Sequence, residues 1–148
     1  VAPPVKKAFY FRELVERVIS LTKEQAVMSG ATCTYVEKSD DILLYADEGQ
    51  ITQIMINLVK NAIQADAKNI TITAHITLSE QTVISVANDG LPISRESQDE
   101  IFVPFFTTKQ EGTGIGLSLS RQIMRLHNGS LTLTRSDENG TIFTLLFK

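Results

Sequence analysis

The sequence has no tryptophan, one cysteine and two histidines in 148 residues. A single cysteine excludes an internal disulfide, and the alternation around Cys33 reads as a small buried hydrophobe in a reducing cytoplasm. No apolar run approaches the ~18 residues needed to cross a bilayer, and no signal peptide opens the chain. An excess of one charge is also missing. With 14 basic and 17 acidic residues, a net charge of -3 and no run of like charge, the chain offers neither a nucleic-acid groove nor an electrostatic membrane patch. Internal repeats and low-complexity segments are absent as well.

What is present suffices for a core. A hydrophobic fraction of 43% over 148 residues suits one domain covering residues 1–148, folding without staples. Because the chain begins at Val1 rather than methionine, it is expected to be a processed protein or a domain cut from something longer.

After a Pro3-Pro4 lead-in, Leu14, Val15, Val18, Ile19 and Leu21 recur at helical spacing, with Gly30 as a stop. Two short strands are expected over 32–36 and 42–46, separated by a polar turn. Asp47 precedes Gln50 by three residues, as in a capping box, and a long helix should run from there to about Ala65. From Ile70 the period becomes two: Ile70, Ile72, Ala74, Ile76 and Leu78 share one face, and a turn at 79–81 leads into a second strand over 82–87. Asn88 to Pro92 is turn chemistry, and residues 97–100 can cap a helical turn before Phe102. The segment from Pro104 to Gly114 has no period and reads as a mobile loop. A helix resumes after Gly116 and stops at Asn128-Gly129, and a hairpin turning at Asn139-Gly140 closes the chain. Helices and antiparallel hairpins in this order imply an α+β fold, a two-layer α/β sandwich with helices on one face of a sheet.

Four stretches carry candidate chemistry. In QITQIMINLVKNAIQA, Gln53, Asn57, Lys60, Asn61 and Gln64 fall on one helical stripe. The stripe is either a solvated face or a set of amides placed for a ligand. Asparagine is a poor helix former where Lys or Glu would serve, and an amide oxygen is a neutral, hard ligand suited to Mg²⁺. In VANDGLPIS, Asn88 and Asp89 sit at a strand end, as a plain turn or beside a ligand edge, with Gly90 permitting close approach. Phe102, Phe105 and Phe106 flank Pro104, as core or as the anchor of a lid. In KQEGTGIGLS, three alternating glycines, Gly112, Gly114 and Gly116, mark a backbone that bends sharply or approaches something closely, and a phosphate chain is the obvious candidate. Of the histidines, His75 lies mid-strand and His127 ends a helix, so both read as structural.

In this order the four stretches resemble the catalytic, ATP-binding domain of sensor histidine kinases, within the group that includes gyrase-type, Hsp90-type and MutL-type ATPases. NLVKNAIQA resembles the N box, NDGLPI the first glycine box, FVPFFTTK the F box and GTGIGLSLS the second glycine box, so the resemblance covers nearly the whole chain. It implies the Bergerat-type sandwich with a mixed, mostly antiparallel sheet, and Mg-ATP as cofactor. Asn61 would bind Mg²⁺, Asn57 would lie beside the metal and phosphates, and Lys60 and Gln64 are weaker candidates. Asn57 stands where related ATPases usually carry a glutamate base; an amide cannot take a proton from water, so transfer is favoured over hydrolysis. Asn88 stands at the aspartate position of the first glycine box and Pro92 at its second glycine, leaving Asn88 or Asp89 to meet adenine beside Gly90. Gly112, Thr113, Gly114, Ile115, Gly116 and Leu117 would cradle the phosphates, and Lys109 either reaches the γ-phosphate or is merely solvated.

Neither His75 nor His127 lies in a motif like the family's Ser-His-Glu phosphoacceptor. The acceptor histidine, in a dimerisation domain, is therefore expected upstream of Val1, with a response-regulator receiver domain as the further partner. The isolated chain is expected to be a monomer with little kinase activity, and its parent a homodimer. The competing expectations are a stand-alone protein-serine kinase, a nucleotide-impaired interaction module, and gyrase-like hydrolysis.

Overall fold

The computed structural model describes residues 1–105 and 116–148. Eleven elements follow one another among them: β1 (Lys7–Tyr10), α1 (Phe11–Ser29), β2 (Thr32–Glu37), β3 (Leu43–Ala46), α2 (Glu48–Gln64), β4 (Asn69–Ile76), β5 (Thr82–Asn88), α3 (Arg95–Gln98), α4 (Gly116–Leu126), β6 (Ser130–Asp137) and β7 (Gly140–Phe147). Five strands form one sheet in the order β2-β4-β5-β7-β6, with β2 parallel to β4 and every other pair antiparallel. The expected α+β sandwich with a mixed, mostly antiparallel sheet is therefore present.

One face of that sheet is apolar. Ile70, Ile72 and Ala74 of β4, Ile84 and Val86 of β5, and Phe143, Leu145 and Phe147 of β7 are buried, while Thr71, Thr73, Ser85 and Thr144 alternate with them on the other face. Three helices cover the apolar face. α2 packs against both α1 and α4, contributing the fully buried Ile51, Ile54, Met55 and Val59 to a core that α1 supplies with Phe11, Leu14, Val15 and Val18. Side chains of this size gain about 1.5–3 kcal/mol each on burial, so α2 is held far more by its apolar flank than by its helix propensity.

The two strands expected over 32–36 and 42–46 are present in different sheets: β2 joins β4 through a crossover, and β3 pairs with β1, a strand unnoticed in the sequence, in register Ala8 to Tyr45 and Phe9 to Leu44. Two expectations need correction. Ile76 and Leu78 do not extend the buried face of β4, because the strand runs past the helical layer there and both are exposed. The short helix lies earlier than residues 97–100, over Arg95–Gln98, with the Ser94 side chain accepting from the Ser97 amide.

Candidate functional site

The polar stripe of α2 divides by burial. Gln53, Lys60 and Gln64 are exposed, whereas Asn57 and Asn61 are half-buried one helical turn apart. The Asn57 side chain lies under the first residue of α4. A Cβ placed on Gly116 would stand 2.2 Å from Asn57 Oδ1, so only glycine lets the two elements meet with the Asn57 side chain in this position. Asn57 Nδ2 is buried and has no hydrogen-bond partner among the described residues. A buried amide donor without an acceptor costs about 1–3 kcal/mol, a penalty an anionic oxygen in the site would relieve.

At its other end α2 begins on Asp47, whose Oδ1 accepts from the Gln50 amide at 3.1 Å. The capping box closes only halfway. The Asp47 N–H, which Gln50 would otherwise accept, donates to His127 Nε2 at 3.0 Å, and Gln50 Nε2 donates to the Ala2 carbonyl. Asp47 Oδ2 accepts from the Val5 amide, and the amides of Val5 and then Gln50 hold the Asp47 carboxyl below its ordinary range.

The turn after β5 is built around Asp89. Its Oδ1 accepts from the amides of Lys68 and Asn69, and its Oδ2 from Asn69 Nδ2 at 2.8 Å. These bonds, led by those from Asn69, lower the Asp89 pKa from 3.8 to about 2. The carboxylate thus fastens the end of β5 to the start of β4, and of the two readings of this residue the turn role has visible contacts. Because its folded pKa is depressed, the stability it supplies is full above about pH 4 and lost as pH falls through about 2. In urea titrations, the stability gap between wild type and Asp89→Asn is expected to shrink over that interval. A gap unchanged from pH 5 to pH 2 would contradict this linkage.

Asn88 Oδ1 accepts from the Gly90 amide at 2.8 Å, an Asx turn that leaves the oxygen a second lone pair. Gly90 does permit a close approach, but to protein: a Cβ there would lie 2.4 Å from the Ala65 carbonyl oxygen at the end of α2. Leu91 N donates to that same oxygen at 2.7 Å, and the following Pro92 is exposed. The C-terminal half of α2 therefore runs from the Gly116 contact at Asn57 to the Gly90 contact at Ala65. The eight steps from Asn57 to Ala65 rise about 12 Å, with Asn61 between them.

Phe102 is half-buried, packs edge-on against Phe143 at 6.4 Å and lies 3.8 Å beneath the Arg121 guanidinium of α4. Burial, and then the charge of Arg125, lower the Arg121 pKa. Phe105 is exposed, with φ 67°. Leu117 joins the edge of the core. Phe106, Lys109, Gly112, Thr113, Gly114 and Ile115 lie outside the described residues. Sequence reasoning missed Arg121 as a partner of Phe102 and the junction of Asp47 with His127. The cap at Asp47 was readable, but its partner lies 80 residues away.

Comparison with known proteins matches residues 46–148 to the family described as histidine kinase-, DNA gyrase B-, and HSP90-like ATPase. Sporulation kinase A of Bacillus subtilis is 32% identical over 97% of this chain and 24% of its own length. Sensor histidine kinase ZraS of Escherichia coli is 39% identical over 69% of this chain and 22% of its own length, so the chain spans about a quarter of these relatives. The catalytic domain of histidine kinase ThkA superposes with a TM-score of 0.86 at 35% identity, covering 96% of this chain and 94% of that one. Full-length ShkA, solved in complex with AMPPNP, has a TM-score of 0.87 at 23% identity, covering 97% of this chain and 31% of that one, a likeness of fold alone. With the family profile over most of its length and the fold of a solved kinase domain throughout, the chain belongs to the histidine kinase-, DNA gyrase B- and HSP90-like ATPases as a catalytic domain of the histidine kinase kind.

Proposed function

We propose that the chain binds Mg-ATP along the C-terminal half of α2 and transfers its γ-phosphate to a histidine on a separate phosphoacceptor domain. The observation that carries this reading is the Asn57 side chain beneath Gly116, with Nδ2 buried and unpartnered among the described residues. Such a donor fits a phosphate oxygen. Asn61, a half-buried amide one turn further on, fits a cation that takes only one or two oxygens from protein. When bound, Mg-ATP supplies the phosphoryl group to be transferred. Asn57 Nδ2 donates to the phosphate chain, Asn61 offers its carbonyl oxygen to Mg²⁺, and the N-terminal turn of α4 presents its amides to negative charge. At the other end of the same stretch, Asn88 keeps one lone pair for the amino group of adenine, with Gly90 beside it. Lys60 and Gln64, both exposed, are outer contacts of this surface, and Lys109 with the glycine run from Gly112 to Ile115 completes the phosphate side.

No residue at position 57 takes a proton from water, so the chemistry falls to the incoming imidazole, which is nucleophilic when neutral. The protein's part is then to position the phosphate and stabilise the charge that spreads over it. ThkA has been solved in complex with the response regulator TrrA, at 32% identity to this chain and a TM-score of 0.80, covering 96% of this chain and 41% of that one. A receiver domain is accordingly the second protein partner we infer, for a homodimeric parent kinase acting in the cytoplasm. No helix among the described residues is long and apolar enough to cross a membrane.

Calorimetric titration with a non-hydrolysable ATP analogue tests the reading, run with Mg²⁺ and with EDTA on wild type and Asn61→Ala. Binding by wild type should require Mg²⁺, and the variant should bind about tenfold more weakly with its melting temperature unchanged, the scale expected for one lost contact to a charged group. Unchanged affinity in Asn61→Ala would overturn the metal assignment. Phosphorylation of a supplied phosphoacceptor domain then tests the transfer step.

A further inference from the structure

His127 sits just beyond α4, buried, with both ring nitrogens engaged. Nδ1 lies 2.8 Å from the Ile123 carbonyl of its own helix, and Nε2 accepts from the Asp47 amide at the head of α2 at 3.0 Å. An Nε2 that accepts fixes the proton on Nδ1, which therefore donates to Ile123. α2 and α4 pack side by side, and two specific contacts join these segments. At one, His127 meets Asp47; at the other, Gly116 meets Asn57. From Asp47 to Asn57 is ten residues along α2, a rise of about 15 Å, and from Gly116 to His127 eleven along α4, about 16 Å. The two spans match only if the helices run antiparallel and in register. The half-closed capping box shows the same preference: the Asp47 amide has a local candidate acceptor in Gln50, yet it donates across to the other helix.

We propose that His127 is a positioning residue for the nucleotide site. By bonding the head of α2 through Nε2, it fixes how far α4 slides along α2, and so sets the contact of Gly116 with Asn57 at the opposite end. This rests on the nucleotide-binding reading of Asn57 given above. The same junction reaches the start of the chain, because the Asp47 carboxylate also accepts from Val5. Displacement of the residues before β1 therefore pulls on the point that His127 holds.

Two amide variants separate this role from simple helix termination. The oxygen of glutamine reaches the position of Nε2 and can accept from Asp47, whereas asparagine reaches only as far as Nδ1 and keeps the bond to Ile123. Wild type, His127→Gln and His127→Asn are titrated with Mg²⁺ and a non-hydrolysable ATP analogue, at a temperature where melting curves show all three folded. The Asn57 side-chain amide is followed by NMR in the absence of nucleotide. His127→Gln should bind within about twofold of wild type, and His127→Asn about three- to tenfold more weakly, with the Asn57 signal displaced in His127→Asn alone. Equal affinities with an unmoved Asn57 signal, or His127→Gln as impaired as His127→Asn, would overturn the proposal. If wild type itself binds no analogue, the nucleotide reading fails, and the Asn57 signal still decides whether His127 positions it.

Discussion

Replacing Gly116 with alanine is expected to weaken binding of an ATP analogue by about ten- to a hundredfold while leaving the fold intact or slightly more stable. The added Cβ would stand 2.2 Å from Asn57 Oδ1, 2.8 Å from Cγ and 2.9 Å from Nδ2. Because the clash falls on the end of a side chain rather than on backbone, Asn57 can rotate away and the helices need not part. The rotation removes the buried Nδ2 donor from the phosphate site, and a hydrogen bond to a charged group is worth about 1.5–3 kcal/mol, which sets the size of the loss. Stability moves the other way. Alanine favours helix over glycine by up to about 1 kcal/mol, and rotation also relieves the unpaired Nδ2. Paired titration and thermal melting of Gly116→Ala check both signs. Affinity equal to wild type would mean that Asn57 does not contact nucleotide, and a large drop in melting temperature would mean that the contact is structural.

How much of this was readable beforehand depends on whether each signal was local. The cap at Asp47, the apolar flank of α2 and the alternation from Ile70 to Ala74 are patterns within a few residues, and each appears where the sequence puts it. β1 escaped notice because only Phe9 of its four residues is buried and its partner, β3, lies more than thirty residues on. The parallel pairing of β2 with β4 escaped for a related reason, since strand pattern says which face is buried but not which neighbour is bonded. Ile76 and Leu78 continue the alternation after the sheet has lost its helical cover, so hydrophobicity there overstates burial.

For the candidate site, the residue types were readable and their partners were not. Asn57 and Gly116 each stood out alone, yet only the packing of α4 on α2 brings them together. Asp89 was an open choice between ligand contact and turn residue, and the three donors around its carboxylate come from Lys68 and Asn69, twenty residues earlier. The ladder joining β4 to β5 is what delivers them. His127 passed as structural because nothing near it in the sequence points to the head of another helix.

Replacing Gly90 is expected to cost substantial stability. In Gly90→Ala the new Cβ would lie 2.4 Å from the Ala65 carbonyl oxygen, 3.0 Å from the Ala65 carbonyl carbon and 3.0 Å from the Ala67 amide nitrogen, all backbone atoms at the end of α2. No rotamer change relieves such a contact, so the turn after β5 and the end of α2 must separate. That separation strains the bond from Leu91 N to the Ala65 oxygen, together with the Asx turn that Asn88 makes to the Gly90 amide. Overpacking of about 1–3 kcal/mol plus a weakened hydrogen bond of about 1 kcal/mol gives an expected loss of about 2–4 kcal/mol in urea unfolding. Nucleotide affinity should fall with it even under conditions where the variant is fully folded, because the shift moves Asn88 relative to Asn61. A loss below about 0.5 kcal/mol, within the range of ordinary surface substitutions, would mean that the turn is not held against α2 as described. A full loss of stability with unaltered affinity in the folded fraction would mean that Asn88 takes no part in holding the base. The two measurements on this one variant therefore separate what Gly90 does for the fold from what it does for the site.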